Sequence, residues 1–126
     1  MMRDKIEKFV AKYSVMNTLM ESHIPDSKWS VTPILEFTNI LVKQYDNILS
    51  ESKNHYDYKL EESIKPHLNQ IKSSMLRQSV GKYLYYRRNR FLDLEQKYLE
   101  ESLEYCFKLV DKIEYKELIR ESNEEV

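Results

Sequence analysis

Glycine and proline are scarce in this sequence. Its 126 residues include one glycine and three prolines, far below the usual shares of about 7 and 5 per cent. Because β-hairpins and other tight turns depend on these residues, an architecture rich in strands is excluded. The length allows a single hydrophobic core. The sequence therefore predicts one all-α domain over residues 1–126, a helical bundle of about five helices.

Cysteine and long apolar runs are also nearly absent. The one cysteine, Cys106, excludes an intrachain disulfide, and its place between Tyr105 and Phe107 is typical of a small core residue. No run approaches the roughly 20 apolar residues of a membrane span, and the first residues lack the apolar core of a signal peptide. We therefore expect a soluble intracellular protein in a reducing compartment, without membrane contact.

Residues that would mark an active site are missing as well. The histidines His23, His55 and His67 lie in separate segments, and none stands at metal-ligand spacing from a cysteine or a carboxylate. Gly81 stands alone, so there is no glycine-rich phosphate loop, and we expect it at a helix–helix contact too close for a side chain. Cys106 has no candidate base near it. These absences predict a non-catalytic protein without metal or cofactor.

Apolar residues recur at steps of three and four along most of the chain, as in amphipathic helices. Thr32 and Pro33 mark a helix start, since threonine caps free N–H groups and proline at the first helical position loses no hydrogen bond. Pro66 disfavours helix just before it, so a helix should end near Lys65, with a kinked continuation as the alternative. Trp29 is expected to fold back from its loop onto the helices. The predicted helices cover residues 3–21, 32–52, 56–64, 66–96 and 99–122, with loops at 23–30 and 50–57 and a break within 95–99.

The stretch 75–94 contains the only glycine and most of the arginines. Its apolar face is formed by Leu76, Val80, Tyr83, Leu84, the Arg87 stem, Phe91 and Leu94. Residues 63–92 include seven Lys or Arg and no acidic residue, whereas residues 93–126 include eleven Asp or Glu against five Lys or Arg. This basic helix either packs beside acidic helices of the same or a neighbouring chain, or binds phosphates through Lys82, Arg87, Arg88 and Arg90. Sequence physics alone leaves both alternatives open.

Aromatic residues are abundant for a domain of this size. The chain has ten Tyr, four Phe and one Trp, and Tyr83, Tyr85 and Tyr86 cannot all point the same way from one helix. Tyrosine is enriched at protein interfaces because it buries a large area with few rotatable bonds. We therefore expect another chain to cover part of this set, which favours a binding subunit over an enzyme.

One spacing resembles a known family. The pattern Arg-x5-Tyr-Leu-x2-Arg-x2-Arg, which resembles the central helix of GINS replication-complex subunits, is formed by Arg77, Tyr83, Leu84, Arg87 and Arg90. Within that family, residues 83–87 are most similar to the first partner of Sld-five subunit, with the Sld-five subunit itself as the rival. Residues 2–10 and 34–49 also resemble the first two helices of the former subunit.

The resemblance implies a non-catalytic nuclear subunit of the GINS heterotetramer. In this family the tetramer holds the cell-division-cycle forty-five protein against the MCM ring and completes the CMG helicase, which acts in the initiation and elongation of DNA replication. It also implies the helical A domain alone, because no β-rich C-terminal domain follows residue 126. The chain is then either a piece of a longer protein or a reduced subunit. Contact with DNA should be weak or indirect.

The residues that the resemblance assigns to structure and interface lie mainly on the basic helix. They are Arg77, Gly81, Tyr83, Leu84, Tyr85, Arg87, Arg90, Leu94 and Tyr105. We expect Arg77, Arg87 and Arg90 to be buried anchors, because arginine forms planar paired contacts with carboxylates. The alternative is a helical adaptor or a nucleic-acid-binding module of another family, which would use the basic helix around residues 82–90 on phosphates.

Overall fold

The fold is built from α-helices. A computed structural model describes residues 1–23, 32–49 and 59–112, and for residues 16–23, 32, 33 and 59 it describes the backbone alone. This part of the chain contains five helices and no strand, which confirms the predicted all-α bundle. The helices are α1 Met2–His23, α2 Thr32–Leu49, α3 Lys59–Gln70, α4 Ser74–Arg88 and α5 Leu92–Asp111. None of the five combines the length and the apolar composition that a bilayer crossing requires.

The first two helices lie close to their predicted bounds. α1 runs from Met2 to His23, slightly past its expected end, and α2 starts at Thr32 as predicted. The predicted loops around Trp29 and at residues 50–57 lie outside the described residues. The predicted fifth helix extends beyond residue 112, and that part of it and the tail also lie outside the described residues.

The third helix does not end at its proline. α3 includes Pro66 in its interior and continues to Gln70, so the predicted end near Lys65 was wrong and the alternative, a continuation through the proline, is observed. An interior proline removes one helical hydrogen bond. Leu60 and Ile64 are buried on this helix, which packs against α2, and their burial offsets that loss.

The predicted fourth helix, residues 66–96, is shorter at both ends. α4 begins at Ser74, where the Ser73 hydroxyl accepts a hydrogen bond from the Leu76 N–H at 3.3 Å. It ends at Arg88, and the break before α5 lies at residues 89–91. The break expected within 95–99 was therefore wrong, and Asn89, a residue that often follows a helix end, marks its true position.

The core is centred on α5. This helix packs against α1, α2 and α4. Fully buried side chains from three helices meet there: Phe37, Leu41, Leu76, Val80, Leu99, Leu103 and Cys106. Cys106 is a core residue, as predicted, and burial raises the pKa of its thiol to about 12, with a hydrogen bond to Thr38 acting in the opposite direction.

Candidate interaction surface on the fourth helix

α4 has one buried face and one exposed face. The buried residues follow a spacing of three and four: Leu76, Ser79, Val80, Tyr83, Leu84 and Arg87. The opposite side, which we call the outer face of α4, consists of the exposed residues Ser74, Met75, Arg77, Gln78, Gly81, Lys82, Tyr85 and Arg88. The predicted site residues on this helix thus fall into two groups, one inside the bundle and one accessible to a partner.

The buried group contains a polar cluster of Tyr83, Arg87 and Glu95. Their exposed fractions are 1%, 8% and 8%. The Arg87 guanidinium donates a hydrogen bond to the Tyr83 hydroxyl and interacts with the Glu95 carboxylate across the α4–α5 interface. Burial raises the pKa of Tyr83 and the pKa of Glu95, and the charge of Arg87 opposes both shifts. The cluster therefore joins two helices inside the bundle.

Two of the three expected arginine anchors lie elsewhere. Arg77 and Arg90 are exposed, so the prediction that they are buried with Arg87 was wrong. Arg77 belongs to the outer face of α4, opposite the core, and Arg90 lies in the turn after the helix. Conversely, the burial of Arg87 removes it from the proposed phosphate-binding set, because a phosphate in solvent cannot reach it.

The α4–α5 turn has the hydrogen bonds of a Schellman motif. The Phe91 N–H donates to the Tyr86 carbonyl at 3.1 Å, and the Arg90 N–H donates to the Arg87 carbonyl at 3.3 Å. Arg90 has φ 60° and is the one non-glycine residue with positive φ in the described part of the chain. The Asn89 side chain donates a further bond to the Tyr85 carbonyl at 2.7 Å. These bonds satisfy carbonyls that the helix end would otherwise leave free.

Aromatic rings connect the two helices beside the turn. Tyr86 of α4 stacks on Tyr98 of α5, with ring centroids 5.4 Å apart and an interplanar angle of 8°. Lys82 Nζ lies 5.3 Å from the centroid of the Tyr98 ring, and Tyr85 meets Tyr86 edge to face at 5.2 Å. Such contacts add to the stability that area burial provides. They hold α4 against α5, and we call these two helices with the turn between them the hairpin.

Three large side chains are more than half exposed in or next to the α4–α5 turn: Tyr85, Phe91 and Leu92, with exposed fractions of 53%, 56% and 53%. A fourth, Met75 at the start of α4, is 58% exposed. Phe91 was expected on the core face, but that prediction was wrong because the helix stops before it. Leu94 is half-buried on α5, as is Tyr105, whose ring centroid lies 5.7 Å from Lys108 Nζ. Together with the outer face of α4, the exposed trio forms what we call the hairpin surface.

The hairpin surface is basic. Arg77, Lys82, Arg88 and Arg90 are all exposed, and no acidic residue lies between positions 63 and 92. Arg88 Nε is 3.2 Å from Glu61 Oε1 of α3, which partly offsets its charge. Two of the basic residues of α4 therefore have an acidic neighbour within the bundle. Arg88 lies beside Glu61 of α3, and Arg87 interacts with Glu95 of α5.

Gly81 lies in open space at the centre of the outer face. A Cβ atom added to it would meet nothing within 4 Å, so the expected helix–helix contact at this glycine does not exist among the described residues. Nor do those residues bring three or more His, Cys, Asp or Glu side chains together as a metal site would require.

One residue of the buried polar cluster, Glu95, was not predicted from the sequence. Glu95 escaped notice because it lies eight positions beyond Arg87 and reaches it only after the chain turns at Asn89. Asn89, a residue that often follows a helix end, was the one sequence signal of this turn, because the positive φ of Arg90 cannot be predicted from its residue type. The chain matches no known family model, curated protein or solved structure.

Proposed function

We propose that this chain is a non-catalytic helical subunit that binds other protein chains through the hairpin surface. The single observation that carries the proposal is the exposure of Tyr85, Phe91 and Leu92, each more than half accessible, at one end of the hairpin. Large aromatic and aliphatic groups exposed side by side are typical of protein interaction sites, where a partner removes them from water.

The bracing of the hairpin supports the same proposal. The cluster of Tyr83, Arg87 and Glu95 and the stack of Tyr86 on Tyr98 hold α4 against α5 in the free chain. A surface already ordered before binding loses little conformational entropy when it binds. The hairpin surface is therefore suited to a stable, geometrically defined contact.

The assembly we propose is the GINS heterotetramer, a component of the CMG helicase in DNA replication. Support comes from the spacing of Arg77, Tyr83, Leu84, Arg87 and Arg90, which resembles the central helix of GINS subunits. The proposed partners are the sister GINS subunits and, through the tetramer, the MCM ring and the cell-division-cycle forty-five protein. The proposed location is the nucleus.

A second candidate is binding of nucleic acid by the same helix. Arg77, Lys82 and Arg88 on α4 and Arg90 after it are exposed in a stretch without acidic residues, and they could neutralise phosphates. The proximity of Glu61 to Arg88 weakens this candidate. We therefore place it second and expect any contact with DNA to be weak.

Co-expression with the three sister GINS subunits tests the proposed function. We expect the chain to co-purify with them as a stoichiometric complex, and we expect the double variant Tyr85→Ser with Leu92→Ser to be lost from it. The matched control is Val10→Ser with Val15→Ser, which removes two side chains of α1 that are 48% and 49% exposed. Failure of the wild-type chain to co-purify would refute the GINS proposal, and equal losses in both double variants would refute the role of the hairpin surface.

A further inference from the structure

Gly81 destabilises the helix in which it lies. Glycine inside a helix costs roughly 0.5–1 kcal/mol relative to alanine, because the unfolded backbone has more freedom to lose. The described part of the chain offers no steric reason for it, since an added Cβ would meet nothing within 4 Å. What the glycine does provide is a shallow notch in which the α4 backbone can be approached closely.

The notch is placed at the centre of the outer face. At 3.6 residues per turn, Arg77 lies one turn before Gly81 and Tyr85 one turn after it, a span of roughly 12 Å along the helix. Arg88 continues the same line, and Lys82 flanks it on the side towards Tyr98. The notch is thus bordered by an exposed aromatic ring and by positive charges, with no acidic residue on α4.

We propose that the hairpin surface binds an acidic amphipathic helix of a partner protein, which crosses α4 at Gly81. The backbone of the partner helix would lie close to the glycine, and its apolar residues would cover Tyr85. Its carboxylates would lie beside Arg77 and Lys82, whose charges they complement. The inference rests on the proposed function and specifies the kind of partner that the surface accepts.

The geometry favours a partner helix over two other occupants of this surface, a single-stranded nucleic acid and a second copy of this chain. A single-stranded nucleic acid would need several bases stacked on exposed rings and several free cations, whereas the outer face of α4 has one aromatic ring, Tyr85, and Arg88 lies beside Glu61. The N–H groups around Gly81 already donate within the helix, so the notch adds no donor for a phosphate.

A second copy of this chain is also disfavoured, because Glu100 and Glu104, two of the acidic residues of its α5, already have partners within the chain. Glu104 pairs with Lys5 Nζ at 2.6 Å, and Glu100 accepts a hydrogen bond from the Tyr45 hydroxyl at 2.9 Å. These carboxylates would have to leave their partners within the chain to meet the basic face of another copy.

The test selects helical peptides on the full chain. A displayed library of amphipathic helices, with acidic, basic and neutral residues allowed at every polar position, is selected against the wild-type chain. We expect the enriched peptides to carry an excess of Asp and Glu beside their apolar stripe, and to bind Gly81→Trp and Arg77→Glu at least tenfold more weakly. The controls are Gly81→Ala and Lys65→Glu, an exposed lysine of α3, which should stay within about threefold of wild type.

Several outcomes would overturn the inference. One is enrichment without an acidic excess, and another is equal affinity for the wild type and Gly81→Trp, provided that both melt cooperatively. If oligo-dT displaces the bound peptides at a lower concentration than the peptides themselves require, the occupant of this surface is a nucleic acid and not a helix. Sedimentation that shows a dimer of the wild type but a monomer of Gly81→Trp would replace it with a second copy.

The two proposals fail in different ways. If no GINS complex forms but acidic helices bind at Gly81, the GINS proposal is wrong, whereas the hairpin surface is still a binding site for acidic helices. If the complex forms and tolerates Gly81→Trp but not Tyr85→Ser with Leu92→Ser, the proposed function stands and the crossing at Gly81 is wrong.

Discussion

Phe91 packs edge to face against Tyr86, the residue whose carbonyl accepts the Phe91 N–H. The ring centroids lie 6.2 Å apart at an interplanar angle of 76°, and the hydrogen bond measures 3.1 Å. An apolar contact between these two positions frequently accompanies a Schellman helix end. Side chain and backbone therefore specify the same turn, and this turn sets the angle at which α5 leaves α4.

Arg90→Gly should stabilise the protein. Arg90 has φ 60°, a conformation that costs a non-glycine residue roughly 1–2 kcal/mol, whereas glycine adopts it freely although its unfolded state has more entropy to lose. We expect a net gain of about 0.5–1 kcal/mol in the free energy of unfolding, measured by urea denaturation. Arg90→Ala is the control, since it removes the same side chain without relieving φ. Equal stability of the two variants would mean that the backbone is not strained there.

Gly81→Ala should also stabilise the free chain. The substitution adds a methyl group where nothing lies within 4 Å, and alanine is favoured in a helix interior by roughly 0.5–1 kcal/mol. Thermal melting of the two chains at equal concentration measures the difference. A lower melting temperature for the variant would show that some part of the chain does approach this glycine.

Arg87→Ala should be strongly destabilising, in contrast to Arg77→Ala on the same helix. Removing one partner of a buried charged pair costs about 3–5 kcal/mol, and Arg87 is buried with Glu95. Arg77 is exposed, so its substitution should change the free energy of unfolding by no more than about 0.5 kcal/mol. A double-mutant cycle with Glu95→Gln should give a coupling energy of about 0.5–3 kcal/mol. A coupling energy near zero would show that the two side chains do not depend on each other.

The stability of the protein should depend on the titration of Glu95. Burial raises the pKa of this carboxyl above its ordinary value, against the effect of Arg87, so the folded state holds the proton more tightly than the unfolded state. The contribution of Glu95 to stability is therefore greatest at low pH and decreases as pH rises through the raised pKa. We expect the stability difference between wild type and Glu95→Gln to shift against the wild type over this interval. A difference that does not change with pH would contradict the assigned shift.

The sequence by itself determined the all-α class and the two faces of α4. Scarce glycine and proline excluded a strand-rich fold, and steps of three and four placed Leu76, Val80 and Tyr83 on one side, where the structure buries them. These features depend on helical periodicity, which is a short-range property. The start of α2 was predictable from Thr32 and Pro33, and the burial of Cys106 from its neighbours Tyr105 and Phe107, which are equally local features.

Only the folded structure decided where α4 ends and which groups surround the buried arginine. The apolar spacing continues past Arg88 to Phe91 and Leu94, so periodicity could not reveal a turn that depends on one residue with positive φ. Helical spacing already placed the stem of Arg87, and not Arg77 or Arg90, on the apolar face, but it could not show what meets the guanidinium. Arg87 faces α5 once the chain has turned, and there it interacts with the Glu95 carboxylate and donates a hydrogen bond to the Tyr83 hydroxyl. Burial of a cation requires such partners, and residues distant along the chain supply them only after it folds.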